Sequence, residues 1–250
     1  MLKYDDSKEN LQPVHLGRRK FTKSFVLSSA LIAFSVLRPS NASAFSHEDL
    51  LGDSGGGGGG ASWATIVKDF SGGLATVAKA AVTVGYVLGD LAEALGLKQE
   101  AALMRAQAKN IEDKGDSLGG GDLEEFEKNS AETVQVINAK IAKAGALSAE
   151  QKAKIAEGMA KYVPALFLAI KGAVKIAKAA GSVAGAGTPG PMDGLEAIDA
   201  ATTIPDLAPQ AISFVQKSVE VNETLAAIAR ENDIAVPDTS GLADAMSDMG

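Results

Sequence analysis

Residues 148–185, SAEQKAKIAEGMAKYVPALFLAIKGAVKIAKAAGSVAG, form the longest apolar segment of the chain beyond its first 44 residues, and their periodicity decides the fold. At 100° per residue, Ile155, Met159, Tyr162, Val163, Leu166, Phe167, Ile170, Val174 and Ala177 fall on one side. Lys154, Lys161, Lys171, Lys175 and Lys178 fall on the other, which is the pattern of an amphipathic helix. Ser148 and Gln151 have capping-box spacing at its start, and GTPGP at 187–191 stops it. Pro164 lies on the polar side, where water replaces the missing hydrogen bond, so a bend is expected there rather than a break.

Upstream of this helix the same spacing recurs. Asp122 and Glu125 form a second capping-box pair, and a helix follows to Ala144 with Phe126, Val134, Ile137 and Ile141 inward and Gly145 as its stop. Because Gly145 and Ser148 are so close, these two helices are expected to form a tight hairpin. Earlier still, Ser62 caps a pattern running from Trp63 through Ile66, Phe70, Leu74, Val77, Val84, Leu88 and Leu91 to Gly96. That is roughly 33 residues or about 50 Å of helix, continuous across Gly72 and Gly73. Leu97, Ala101, Met104, Ala108 and Ile111 mark a further helix that folds back on it, and residues 115–121 read as a loop.

Downstream, residues 195–201 are expected to form a turn or two of helix before Pro205. A last long helix then spans about 207–231, and Asn232 caps it. The acidic, small residues 237–250 read as a disordered tail. The expected fold is therefore all-α, a bundle of about five long helices built from antiparallel hairpins over residues 61–236.

Composition agrees with that class. Hydrophobic residues make up 46% of the chain but aromatics only 5%, so the core is built from Ala, Val, Leu and Ile. There is no cysteine, which removes disulfides, thiolate metal sites and Cys nucleophiles.

Residues 1–44 stand apart. A Gly17-Arg18-Arg19-Lys20-Phe21-Thr22-Lys23 stretch precedes an apolar run at 25–37 and an Ala42-Ser43-Ala44 sequence of small-x-small form. The run is shorter than the ~20 residues that span a bilayer. This segment resembles a bacterial twin-arginine signal peptide at Arg18, Arg19, Phe21 and Lys23, with Ala42 and Ala44 at the cleavage site. Gly17 and Thr22 depart from that family's pattern. The resemblance covers the signal alone. It implies export of a folded protein to the periplasm or beyond, with the export translocase and signal peptidase as partners. Residues 45–60, with six consecutive glycines at 55–60, read as a linker rather than a phosphate-binding loop, because no lysine or strand accompanies them.

Without residues 1–44, which carry 7 basic and 3 acidic residues, 17 basic and 28 acidic residues remain, a net charge of −11. Such a chain is a poor partner for nucleic acid. His47, the only histidine after residue 44, sits in the linker, so a histidine triad is not available. The acidic cluster of Glu124, Glu125, Glu127 and Glu132 lacks the Glu-x-x-His pairs of helical di-metal sites. The residues therefore point to no enzyme, no metal and no cofactor.

Two features remain as candidates for function. Small residues repeat at fours in Ala81, Gly85, Gly89 and in Ala177, Gly181, Gly185, which lets helix backbones approach closely in a soluble core or in a membrane. No acidic residue occurs from 158 to 192, where Lys161, Lys171, Lys175 and Lys178 lie. Those lysines admit three readings. In one the helix is the central core helix, and they face water or pair with the Glu-rich helix before it. In the second they engage anionic lipid. In the third the helix lines a groove for an apolar ligand or an envelope protein.

Overall fold

The computed structural model describes residues 61–247. The signal and linker readings, with Arg18, Arg19, Phe21, Lys23, Ala42 and Ala44, lie outside the described residues. Within them, the chain forms α1 (Trp63–Ala94), α2 (Lys98–Lys114), a 3₁₀ turn (Gly115–Ser117), α3 (Gly120–Ala144), α4 (Ala149–Ala186), α5 (Gly194–Glu231) and α6 (Leu242–Ser247). The protein is an all-α helical bundle, with no strand among the described residues.

The axis of the bundle is α1. The Ser62 hydroxyl accepts from the Thr65 N–H at 3.3 Å to start it. It ends with Gly96 at φ +75° and the Leu97 N–H bonded to the Ala92 carbonyl at 2.8 Å, a left-handed stop that reverses the chain into α2. Helices α2, α3, α4 and α5 all pack against α1. Its burial accordingly extends beyond one stripe to Ala78, Ala80 and Val87. The central helix is thus α1, not the 148–185 helix, because residues without bulk let neighbours approach it from several sides.

Those approaches are close. A Cβ at Gly85 would stand 2.9 Å from Ala108 Cβ, and one at Gly89 2.9 Å from Arg105 Cγ, so the 81–85–89 ridge seats α2. The 177–181–185 ridge does not act in the same way, since Gly181 and Gly185 have nothing within 4 Å. The tight α1–α4 crossing falls instead at Gly73 and Gly172, one on each helix.

Helix α4 begins as its sequence predicts. Ser148 N–H donates to Gln151 Oε1 at 3.0 Å, and Gln151 N–H donates to Ser148 Oγ at 3.2 Å. Pro164 is exposed inside the continuous helix. The expected α3–α4 hairpin is absent: α3 packs along α5, with smaller contacts to α1 and α2, while α4 packs between α1 and α5. Phe126 and Phe214 join α3 to α5 edge to face with centroids 5.9 Å apart. A short connection does not compel two helices to pair when each packs against other helices.

Four further expectations are corrected. The 115–121 segment contains a 3₁₀ turn, and α3 starts at Gly120. Asp122 is not its cap, because its carboxylate reaches back to accept from the Gly119 N–H at 3.0 Å and pairs with Lys114. Residues 194–231 are one helix through Pro205 and Pro209, both exposed, rather than two segments. The buried series Ala197, Ala200, Ile204, Leu207, Ala211 and Phe214 keeps the helix in register past both prolines. Finally, the tail expected to be disordered contains α6, which packs on α4 with Leu242 and Ala245 buried and Gly241 beside Phe167.

Candidate functional site

The basic sector of α4 divides in two. Lys161 bonds Glu157 at 2.7 Å, and Lys154 approaches the same carboxylate at 3.4 Å. Both hold the Glu157 carboxyl below the usual range, the Lys161 hydrogen bond most strongly. Lys161 is thus a partner of its own helix. Lys171 is half-buried and already engaged. Lys175 and Lys178 are exposed in the last three turns of α4. Lys161 stands roughly 21 Å along the helix from Lys175, so the four lysines do not form one cluster.

The acids of α3 do not meet them. Glu125 accepts from Gln107 at 2.8 Å, toward α2. Glu127 accepts from the Ser213 hydroxyl of α5 at 3.1 Å. Burial pushes the Glu127 carboxyl above its ordinary value, and the nearby Glu124 and Glu220 reinforce that against Ser213 and Lys217. Ser130 and Thr133 of α3, with Ser218 and Asn222 of α5, are also buried. Tyr162 of α4, fully buried, donates to the Ser218 carbonyl at 3.1 Å, and burial holds its phenol neutral.

A serine touching a carboxylate of raised pKa has two of the parts of a nucleophile site. The third is missing, because mid-helix Ser213 has no free backbone N–H beside it to meet an oxyanion. Among the described residues there is no histidine or cysteine, and no group of three acidic side chains positioned to hold a metal ion.

The recesses on the surface of the described residues include two beside α5. The larger, about 490 Å³, is an open groove between α4 and α5, lined by Ala177, Ala180, Pro205, Ala208, Pro209, Ile212, Ser213 and Gln216. No charged side chain lines it. The smaller, about 340 Å³, lies between residues 119–121 and Thr202, Thr203, Asp206, Leu207 and Gln210. There the Gln210 side chain sits against Gly120, where a Cβ would be 2.8 Å away.

No protein-family model, no curated protein and no solved structure matches the chain. The site must be read from its own chemistry.

On that footing the notable feature is one that periodicity alone did not reveal. Large apolar side chains stand in water where α4 gives way to α5: Met192, Leu195 and Ile198. The sequence pattern ends α4 at 187–191 and predicts only a turn or two of helix over 195–201. The signal that could have exposed the patch was the second apolar series of α5, Leu195, Ile198, Pro205, Pro209 and Ile212, which runs beside the buried one.

Proposed function

We propose that the protein is an exported, non-enzymatic helical protein of the bacterial envelope, periplasmic or extracellular, that acts by surface contact and carries no cofactor. The observation that supports a contact role is the apolar groove between α4 and α5, open along its length and without charged groups in its lining. The resemblance of residues 1–44 to a twin-arginine signal supports export through the folded-protein translocase, with signal peptidase cutting after Ala44. An envelope protein or an anionic lipid surface is the partner class that the groove and the exposed lysines suit. Replacing Arg18 and Arg19 with lysine tests the export route: the protein should be retained inside the cell, and unchanged export refutes it. Recovery of a turnover product by the purified protein would refute the non-enzymatic reading.

A second reading has its own support. Helix α1 is long and apolar enough to cross a membrane. In that reading the protein is membrane-active, opening its bundle to insert α1 and the amphipathic α4 and form a pore. Release of a trapped dye from vesicles, abolished by a disulfide engineered to lock α1 to α4, is the result it requires.

A further inference from the structure

Large apolar side chains stand unpacked where α4 gives way to α5: Met192 is 98% exposed, Leu195 79% and Ile198 48%. Scattered single apolar residues need no explanation, but these three continue into a groove. At 100° per residue, Leu195, Ile198, Pro205, Pro209 and Ile212 fall within about 100° of one another on α5. Pro205, Pro209 and Ile212 line the groove, and Ala177 and Ala180 of α4 form its other wall. From Leu195 to Ile212 the strip is about 26 Å long, or roughly five turns of helix.

The charges around this strip have one sign. Asp193, Glu196, Asp199 and Asp206 are exposed, and no lysine or arginine occurs between Lys178 and Lys217. Asp206 and Asp199 fall about 20° and 40° beyond Leu195 on the helical wheel, along the edge of the strip turned away from α4. Among the described residues, no ion pair engages Glu196, Asp199 or Asp206. The lysines nearest in the chain lie elsewhere. Lys175 packs beside Gly73 on the α1 side of α4, and Lys217 is paired with Glu220 at 2.9 Å. Lys178 is turned about 100° from Ala177 and about 160° from Ala180, away from the groove.

The prolines add acceptors to the acidic edge. Proline has no N–H, so the Ala201 and Pro205 carbonyls receive no bond from Pro205 and Pro209 four residues on, and both carbonyls belong to the groove side of α5. An apolar strip edged by unpaired carboxylates and spare carbonyls is complementary to an occupant that brings an apolar face and cationic donors together. The same edge repels an anionic bilayer.

We propose that the α4–α5 groove docks a cationic amphipathic helix of a partner protein, its apolar face over Leu195, Ile198 and Pro209 and its lysine or arginine side chains on Asp199 and Asp206. This rests on the surface-contact reading and names the chemistry of the partner, but it needs no opening of the bundle and no particular export route.

The chain has no cysteine, so one introduced residue is a unique label site. Full-length Thr202→Cys, carrying an environment-sensitive fluorophore between Ile198 and Asp206, is titrated with a peptide of leucine, alanine and lysine that forms about five turns of amphipathic helix. Ala102→Cys, exposed on α2, is the control. The expected result is a saturable blue shift at position 202 and none at 102, with no binding of the same peptide carrying glutamate for lysine. Each exposed ion pair contributes up to about fivefold, so D199N/D206N should weaken binding by up to about 25-fold. Asp199→Lys with Asp206→Lys should reverse the preference, so that the glutamate peptide binds and the lysine peptide does not. Leu195→Ser with Ile198→Ser should also weaken binding while leaving the melting temperature unchanged, because both side chains already face water. A lysine peptide that leaves position 202 unshifted overturns the proposal, and so does equal binding of the two peptides or binding undiminished in D199N/D206N. A shift at 202 on anionic vesicles without peptide would assign the face to lipid, and one that grows with protein concentration alone would assign it to a second copy; either overturns it. None of these outcomes bears on export or on turnover, which are tested separately.

Discussion

Gly73 of α1 and Gly172 of α4 face each other so closely that a Cβ built on Gly172 would stand 2.8 Å from the Gly73 carbonyl oxygen and 2.7 Å from Val77 Cγ2. Backbone meets backbone there, so neither helix can yield by rotating a side chain. Gly172→Ala should destabilise the protein by about 2 kcal/mol despite alanine's better helix propensity. Gly181→Ala, on the same helix with nothing within 4 Å, should stabilise by roughly 0.5–1 kcal/mol. Urea unfolding of both variants checks the pair. Equal stabilisation by the two would show that the crossing is not tight.

The start of α4 depends on the reciprocal bonds of Ser148 and Gln151. Gln151 also donates to the Ala94 carbonyl at 3.3 Å, tying this cap to the end of α1. Ser148→Ala should cost about 1 kcal/mol. Gln151→Ala should cost more than a cap residue alone because it also leaves a carbonyl of α1 unpaired. Hydrogen exchange at the first turn of α4 and the last turn of α1 should accelerate together in Gln151→Ala, whereas Ser148→Ala should affect only α4.

Tyr162 is fully buried, and its hydroxyl spans from α4 to the Ser218 carbonyl of α5. Tyr162→Phe removes one hydrogen bond and little volume, so a loss of about 1 kcal/mol is expected. Tyr162→Ala opens a cavity at the same place and should cost roughly 3–5 kcal/mol. Chemical denaturation that finds the two variants equally stable would contradict the packing of α4 on α5.

Two carboxylates give opposite dependences on pH. The folded value of Glu127 is raised, chiefly by burial, so its ionised form burdens the folded state and that burden is relieved as pH falls through the raised value. Glu127→Gln should therefore raise the melting temperature at pH 7, and the gain should vanish toward the ordinary carboxylate range. For Asp122 burial opposes ionisation, but the bonds from Lys114 and the Gly119 N–H prevail and the folded value is lowered. Its contribution is present above the unfolded value and is lost as pH falls through the folded one, so Asp122→Asn should destabilise at pH 7 and be neutral in strong acid. Thermal melts from pH 7 to pH 2 measure both.

Much of this architecture was legible in the chain. The inward positions of α1, from Trp63 to Leu91, and the caps at Ser62, Gly96 and Ser148 depend on spacing within a few residues, and that spacing is written locally. The exposed position of Pro164 followed from the same wheel. The continuity of 194–231 did not, because Pro205 and Pro209 break helices by local rules. Only the buried row from Ala197 to Phe214, held by neighbours distant in sequence, keeps that segment helical. The candidate site was legible in part. The pattern places Lys175 and Lys178 on the wet face of α4, where they are exposed, but the exposure of Met192, Leu195 and Ile198 depends on which neighbours each side chain found.

What the amino-acid sequence determined by itself was the helical class, the ends of most helices and the face that each turns inward, since periodicity and capping act over one or two turns. Which helices would pair was decided only in the tertiary structure. Helix α1 took the centre, α3 passed over its chain neighbour α4 to pack on α5, and α6 folded onto α4, because these choices rest on the fit of ridges such as Gly73 against Gly172. That fit is a property of two surfaces together, and neither segment specifies it alone.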